Sequence, residues 1–123
     1  MSIEEQFNGA VKVIRALPKS GPFKPSDDLR LKFYGFFKQA TEGPNQSQRP
    51  GLFDLIAKYK WETWNQLGDM SKEDAMKGYV DVFIEVIKTM VLTDSDSDIF
   101  ELLVPFKQYL SEESQQILTK HNF

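Results

Sequence analysis

The chain has 123 residues, about the length of one ordinary domain, and its 41% hydrophobic and 27% charged residues are typical of a folded globular protein. Its formal net charge of −3 provides no general attraction to nucleic acid or to anionic lipid, so we expect no nucleic-acid partner, and any anionic ligand must be bound by a local cluster of positive charge. Because the chain contains no cysteine, disulfides, thiolate nucleophiles and cysteine metal sites are excluded.

The first predicted element is a helix that begins with a capping box at Ser2 and Glu5 and ends before Pro18. The N-terminal sequence lacks the basic and apolar regions of a signal peptide. No stretch has the roughly 20 apolar residues of a membrane span, so we expect none. Residues 18–25 contain three prolines and a glycine and are expected to form a loop.

A second helix is predicted from its cap at Ser26 to a stop signal at Gly43. Its apolar and aromatic residues fall into two stripes about a third of a turn apart. One stripe consists of Leu29, Phe33, Phe36 and Ala40, and the other of Leu31, Tyr34 and Lys38. A helix with two such faces usually has two surfaces to contact.

Two more helices are predicted along the chain. The third covers residues 52–67 and ends at Gly68, and the fourth runs from its cap at Ser71 to Met90. The apolar residues that give the helical period are Leu52, Leu55, Ile56, Tyr59, Trp64 and Leu67 in the third helix, and Ala75, Tyr79, Val82, Phe83, Val86 and Met90 in the fourth.

The last part of the chain begins with an acidic turn over residues 93–98. Aspartates alternate from Asp94 as they do at the start of an EF-hand loop, but the sixth position is not glycine, and Pro105 occupies the twelfth. We therefore predict an acidic linker and no metal site. Residues 99–118 are predicted to form either one kinked helix or two short helices divided near Pro105 or Ser111.

Sequence motifs of catalysis are missing from the chain. It has no P-loop, dinucleotide-binding motif or nucleophile elbow. Its one histidine, His121, stands two residues before Phe123 and is interpreted as a solvated side chain rather than a catalytic base. We therefore predict no catalytic residue, no cofactor and no enzymatic activity.

Four side chains indicate a different kind of site. Tyr34 and Lys38 lie one helical turn apart, Lys60 lies on the third helix, and Tyr79 lies on the fourth. Cations, aromatic faces and an apolar groove are what a ligand with phosphates, adenine and a long acyl chain requires. Spacing alone leaves this open, because lysines on amphipathic helices are usually solvated and periodic aromatic residues are usually core.

Four ordered motifs carry a family resemblance. They are Tyr34-Gly-Phe-Phe-Lys-Gln-Ala-Thr-Glu-Gly43, Arg49-Pro-Gly51, Lys60-Trp-Glu-Thr-Trp64-Asn and Ser71-Lys-Glu-Asp-Ala-Met-Lys-Gly-Tyr79. With them, residues 3–90 resemble the acyl-CoA-binding protein family. Because the chain continues past Met90, it is more similar to the larger membrane-associated members than to the minimal free carriers.

The resemblance implies an all-α fold, a four-helix up-down-down-up bundle with an additional C-terminal helical segment. It implies an acyl-CoA-binding domain at residues 1–90, followed at residues 91–123 by the acidic linker and a helical extension that packs on or flanks the domain. The ligand would be a medium- to long-chain fatty acyl-CoA, bound non-covalently for intracellular transport or buffering. The alternative is a helical adaptor that binds a protein and no ligand.

The resemblance also implies roles for the four side chains named above. Lys60 and Lys38 would hold the 3′-phosphate of the CoA. Tyr34 would contact the nucleotide region of the ligand, and Tyr79 would close the site from the fourth helix.

Four further positions complete the implied ligand-binding site. Arg15 stands where the family usually has lysine, and it keeps the positive charge. Arg30 and Leu31 match positions that line the acyl groove. Phe37 stands where the family commonly has a tyrosine against adenine, so its ring can still stack but lacks the hydroxyl.

The loop over residues 18–25 looks about four residues longer than in the small carriers of the family. Phe23 and Lys24 within it either reach the ligand or belong to a surface connection without ligand contact. We further expect a monomer in the cytoplasm, or at the cytosolic face of an intracellular membrane, held there by an anchor beyond Phe123 in a longer parent protein.

Overall fold

A computed structural model describes residues 1–17 and 25–123, which form six α-helices and two 3-10 helices and contain no β-strand. The α-helices are α1 (Ile3–Ala16), α2 (Asp27–Glu42), α3 (Leu55–Asn65), α4 (Lys72–Lys88), α5 (Ser97–Leu103) and α6 (Glu112–Lys120), and the 3-10 helices are Asp94–Asp96 and Val104–Tyr109. The predicted all-α class is confirmed. The loop predicted from Pro18, with Phe23 and Lys24, lies outside the described residues.

Serine side chains cap three helices where the sequence predicts them. The hydroxyl oxygens of Ser2, Ser26 and Ser71 accept hydrogen bonds from the backbone N–H three residues later, at 3.1, 3.2 and 3.0 Å. α2 ends at Gly43, whose φ of 84° lies in the region that favours glycine. The predicted bounds of α2 are therefore confirmed.

The predicted start of α3 at residue 52 is wrong by three residues. Asp54 is the N-cap, and its carboxylate accepts a hydrogen bond from the Ala57 N–H at 3.1 Å. Leu52 and Phe53 lie in the turn before this cap and are exposed. The apolar periodicity begins before the helix does, because a pattern of apolar residues carries no information about the carboxylate that caps the helix.

The C-terminal segment forms two helices, as one of the two alternatives predicted. α5 ends at Leu103, and the backbone tightens into the 3-10 helix that contains Pro105, a residue without a backbone N–H to donate. Ser111 then caps α6 by accepting a hydrogen bond from Ser114 N at 3.2 Å. The segment is therefore divided near both predicted positions, Pro105 and Ser111.

The chain divides into two compact units, and α1 and α4 each contribute residues to both. The first unit comprises Met1–Phe7 and Pro25–Val82, and the second comprises Asn8–Lys24 and Phe83–Phe123. The separation of a binding domain from an extension at residue 90 stays a prediction.

In the first unit, α2 lies against α3 at a glycine. A Cβ atom at Gly35 would lie 2.9 Å from the Thr63 side chain, so a larger residue there would push the two helices apart. Near the end of α2, the buried indole N–H of Trp64 donates to the Gly43 carbonyl at 2.9 Å. These contacts fix the spacing of the two helices.

The turn between α3 and α4 is tied to α2 by a buried amide. The side-chain nitrogen of Gln39 donates to the Gly68 and Met70 carbonyls at 3.0 and 2.8 Å. Helix α4 also reaches α2 at Gly78, where an added Cβ would lie 2.5 Å from the Phe36 ring. The turn carbonyls are thus satisfied by a side chain rather than by water.

The second unit has its own aromatic packing. The rings of Phe83 and Phe106 meet edge to face at 4.7 Å. The Ser114 hydroxyl donates to the Met90 carbonyl at 3.3 Å, which joins α6 to the segment that follows α4.

His121 makes contacts that the sequence interpretation of a solvated side chain did not include. Its ring lies 5.1 Å from Phe100, and its Nε2 is 3.1 Å from a carboxylate oxygen of Asp94. That hydrogen bond, together with the charge of Lys120, lowers the pKa of Asp94. The cluster joins the end of α6 to the start of the acidic turn.

Candidate functional site

A cavity of about 570 Å³ lies between α2 and α3, entirely within the first unit. This volume is within the roughly 300–1,000 Å³ typical of small-molecule sites. The residues that line it are Asp27, Arg30, Leu31, Tyr34, Ile56, Tyr59 and Lys60.

One wall of the cavity is the second stripe of α2. Leu31 and Tyr34 belong to this stripe, and Arg30 joins them because residues three and four apart share a helix face. The other stripe, with Phe33 and Ala40, is buried in the core. Of the two surfaces predicted for α2, one therefore packs in the core and the other faces the cavity.

The opposite wall comes from α3. Ile56, Tyr59 and Lys60 are spaced by three and four residues and so face the same way. Sequence analysis assigned Ile56 and Tyr59 only to the helical period and missed them as site residues. The available signal was the spacing from Ile56, which lies three residues before Tyr59 and four before Lys60, the residue predicted to hold a phosphate.

A cation–π contact spans the two walls. The Lys60 ammonium lies 5.3 Å from the centroid of the Tyr34 ring, and both residues line the cavity. The Lys60 side chain is exposed, so its charge remains accessible to an anion. Among the described ion pairs, none involves Lys60.

Lys38 is held differently, one turn further along α2. Its ammonium forms an ion pair with Glu42 and lies 5.2 Å from the centroid of the Trp64 ring. The hydrogen bond to Glu42 raises the pKa of Lys38, partial desolvation acts against it, and the Tyr34 phenol adds a smaller increase. Lys38 is therefore a charged group with a partner already in place.

The remaining predicted site residues lie elsewhere in the described structure. The Tyr79 ring is buried against Phe33 at 4.8 Å and Phe7 at 5.1 Å. Phe37 is half-buried and stacks on Phe7 at 6.1 Å. Arg15 is exposed in the last turn of α1, in the second unit.

The structure thus brings together four of the eight predicted residues, namely Arg30, Leu31, Tyr34 and Lys60. The ligand roles of all eight stay predictions. Among the described residues, no group of histidine, aspartate and glutamate side chains is arranged to hold a metal ion. No described helix is both long enough and apolar enough to cross a membrane.

The family model described as Acyl CoA binding protein matches residues 4–83, more than half of the chain. The chain belongs to the acyl-CoA-binding protein family. Acyl-CoA-binding domain-containing protein 5 from Xenopus laevis is 48% identical over 109 residues, which cover 89% of this chain and 23% of that protein. The protein of the same name from Mus musculus is 46% identical over 89% of this chain and 22% of its own length.

The chain therefore spans about a quarter of the length of these curated relatives. Solved structures of the family have the same fold. An ACBP crystal structure from Moniliophthora perniciosa superposes with a TM-score of 0.72 at 41% identity, covering 83% of this chain and 95% of its own. Acyl-CoA-Binding Protein 2 from Oryza sativa has a TM-score of 0.61 at 34% identity, covering 69% of this chain and 90% of its own. The predicted bundle type and the resemblance to larger members are confirmed.

Proposed function

We propose that this chain binds fatty acyl-CoA thioesters non-covalently in the cavity between α2 and α3. The observation that carries the proposal is the contact of the Lys60 ammonium with the Tyr34 ring at 5.3 Å. It puts an accessible cation and an aromatic surface beside an apolar wall, in a chain that belongs to the acyl-CoA-binding protein family.

The cavity has a chemical division that suits such a ligand. Arg30 and Lys60 supply positive charge, which makes short, charge-assisted hydrogen bonds to phosphate. Leu31, Ile56 and Tyr59 supply apolar area for an acyl chain. We assign the nucleotide to the cationic rim and the chain to the apolar wall.

We further propose that Lys38 and Lys60 share the 3′-phosphate. Tyr34 supports this assignment because its ring contacts Lys60 and it lies one helical turn before Lys38 on α2. The Glu42 carboxylate competes with the phosphate for Lys38. Arg15, Phe37 and Tyr79 are proposed as further ligand contacts on the strength of family resemblance alone.

In this proposal the chain is a monomeric binding module rather than an enzyme, and it transports or buffers medium- to long-chain acyl-CoA inside the cell. The longer relatives support a parent protein of larger size. A location in the cytoplasm or at the cytosolic face of a membrane, through an anchor in that parent, is part of the same proposal.

Isothermal titration calorimetry with palmitoyl-CoA tests the function directly. We expect one ligand per chain, weaker binding of unacylated CoA, and weaker binding of palmitate, because each of these presents only half of the ligand. Release of free CoA during the titration, followed with a thiol reagent, would contradict the assignment as a carrier. So would the absence of palmitoyl-CoA binding.

Removing the competing carboxylate should strengthen binding. In Glu42→Gln the Lys38 ammonium loses its ion pair, and since such exposed pairs contribute at most about 1 kcal/mol, we expect acyl-CoA to bind about two- to fivefold more tightly. The gain should disappear with 3′-dephospho acyl-CoA, which lacks the group that Lys38 is proposed to hold.

The matched control for this variant is Glu73→Gln. Glu73 forms an ion pair of the same spacing with Lys77 on α4, at 3.6 Å, and neither residue lines the cavity. It should leave the affinity unchanged. Equal affinity of the wild type and Glu42→Gln would argue that Lys38 does not reach the phosphate.

A further inference from the structure

Large apolar side chains are exposed together at the beginning of α3. In the described part of the chain, five of them fall within residues 52–59, and we call this set the α3 apolar face. The set consists of Leu52, Phe53, Leu55, Ile56 and Tyr59. A contiguous exposed apolar surface of this kind marks a place of interaction rather than a requirement of folding.

The most exposed part of the α3 apolar face is the turn before the helix. Phe53 has a relative exposure of 102% and Leu52 of 76%, so these side chains contribute little to the packing of the described residues. A Cβ atom added at Gly51 would meet no heavy atom within 4 Å, so the backbone is also open at the residue before Leu52. The surface is therefore a protruding apolar tip, not a groove.

The charges around the α3 apolar face follow a pattern. At 100° per residue, Leu55, Tyr59 and Ile56 cover a stripe of about 100°, with Lys58 about 60° beyond one edge and Lys60 about 40° beyond the other. Glu62 lies about 20° beyond the edge on the side of Lys58, and its charge is paired with Arg49. Neither lysine is in a described ion pair. An apolar stripe with lysines on both sides is typical of a helix that lies in the interface of an anionic bilayer.

The same charges disfavour a second copy of the chain as the occupant. A two-fold contact through the α3 apolar face would bring the lysines of both copies into one interface. The nearby carboxylates already have partners, because Asp54 caps α3 and Glu62 is paired with Arg49. Anionic lipid headgroups supply the complementary charge instead. A bilayer also accepts a protruding phenyl ring, because apolar side chains at its surface sink roughly 5–10 Å into the headgroup boundary.

We propose that the α3 apolar face docks the chain on anionic lipid bilayers, with Leu52 and Phe53 inserted and Lys58 and Lys60 at the headgroups. Ile56 and Tyr59 belong both to this face and to the cavity wall, so a docked chain would present its binding cavity at the lipid surface. The role of the docking, to bring the binding cavity to the lipid surface, rests on the proposed function. The contact with lipid itself depends only on the α3 apolar face and its lysines.

Flotation with large unilamellar vesicles tests the docking without acyl-CoA. We expect at least about fivefold more chain to bind vesicles of phosphatidylcholine with 30% phosphatidylserine than vesicles of phosphatidylcholine alone, since each lysine near an anionic surface contributes about that factor. The double variant Leu52→Ser with Phe53→Ser should bind at least about tenfold less, because its inserting side chains are gone. Lys58→Gln should bind about fivefold less.

The matched control is Val91→Ser, which removes an exposed apolar side chain outside the α3 apolar face. It should bind vesicles as the wild type does. Wild-type chain that does not float, or a double variant that floats equally well, overturns the docking. A wild-type dimer in sedimentation velocity that the double variant abolishes also overturns it, since the face would then bind a second copy.

Palmitoyl-CoA titration of the double variant separates this inference from the proposed function. Leu52 and Phe53 do not line the cavity, so the affinity should be unchanged. In the wild type, by contrast, normal acyl-CoA binding without vesicle binding would leave the function standing and the docking wrong. Vesicle binding without acyl-CoA binding would do the reverse.

Discussion

Lengthening the acyl chain should tighten the binding of saturated acyl-CoA esters about 15-fold for every two carbons, until the cavity is full. Each methylene removed from water contributes about 0.8 kcal/mol, which is roughly a fourfold change in Kd. Leu31, Ile56 and Tyr59 form the apolar wall that offers this burial. Calorimetry across a series from unacylated CoA to palmitoyl-CoA measures the slope and the length at which it levels off.

The variant Leu31→Ser provides the control for this slope. It should weaken the long esters while leaving unacylated CoA unchanged, because the substitution touches the wall assigned to the chain and not the cationic rim. An equal Kd for every chain length would show that the cavity does not take the acyl group.

Lys60→Ala should weaken palmitoyl-CoA binding by about 10- to 100-fold. A hydrogen bond to a charged group contributes about 1.5–3 kcal/mol, and the variant also removes the cation from the Tyr34 ring. The Lys60 side chain is exposed, so we expect the helical circular dichroism and the midpoint of thermal unfolding to change little.

Lys58→Ala is the matched control for Lys60→Ala. Lys58 lies two residues away on α3 and does not line the cavity, so its removal should leave the affinity near that of the wild type. If both variants weakened binding equally, the effect would come from the general charge of α3 rather than from a phosphate contact. If neither did, the cationic rim would be assigned wrongly.

The helices were largely predictable because their ends carry local chemistry. Ser26 marks the start of α2 through a side-chain cap, and Gly43 marks its end through a glycine conformation. Both signals depend on a few neighbouring residues. The start of α3 was mispredicted because Leu52 and Phe53 continue the apolar period into a turn. Periodicity records which residues are apolar, but not which of them the fold buries.

The candidate site was less predictable for the same reason. Spacing on α2 placed Tyr34 on a second face, but only the fold brings Lys60 of α3 to its ring. Ile56 and Tyr59 were missed because an apolar residue at helical spacing is usually core, whereas here both are exposed at the cavity. The four-residue spacing of Lys38 and Glu42 indicates their ion pair, but spacing alone does not show that this carboxylate would compete with a phosphate for Lys38.

The ion pair between Lys38 and Glu42 also bears on how quickly a bound ligand leaves. Glu42 lies one helical turn from Lys38, so if Lys38 holds the phosphate as proposed, its ammonium regains a carboxylate when the ligand leaves, without waiting for a counterion from solution. A tethered anion of this kind lowers the barrier to release. For a carrier, discharge to the next acceptor matters as much as capture, and this carboxylate favours a short residence time over the tightest possible complex.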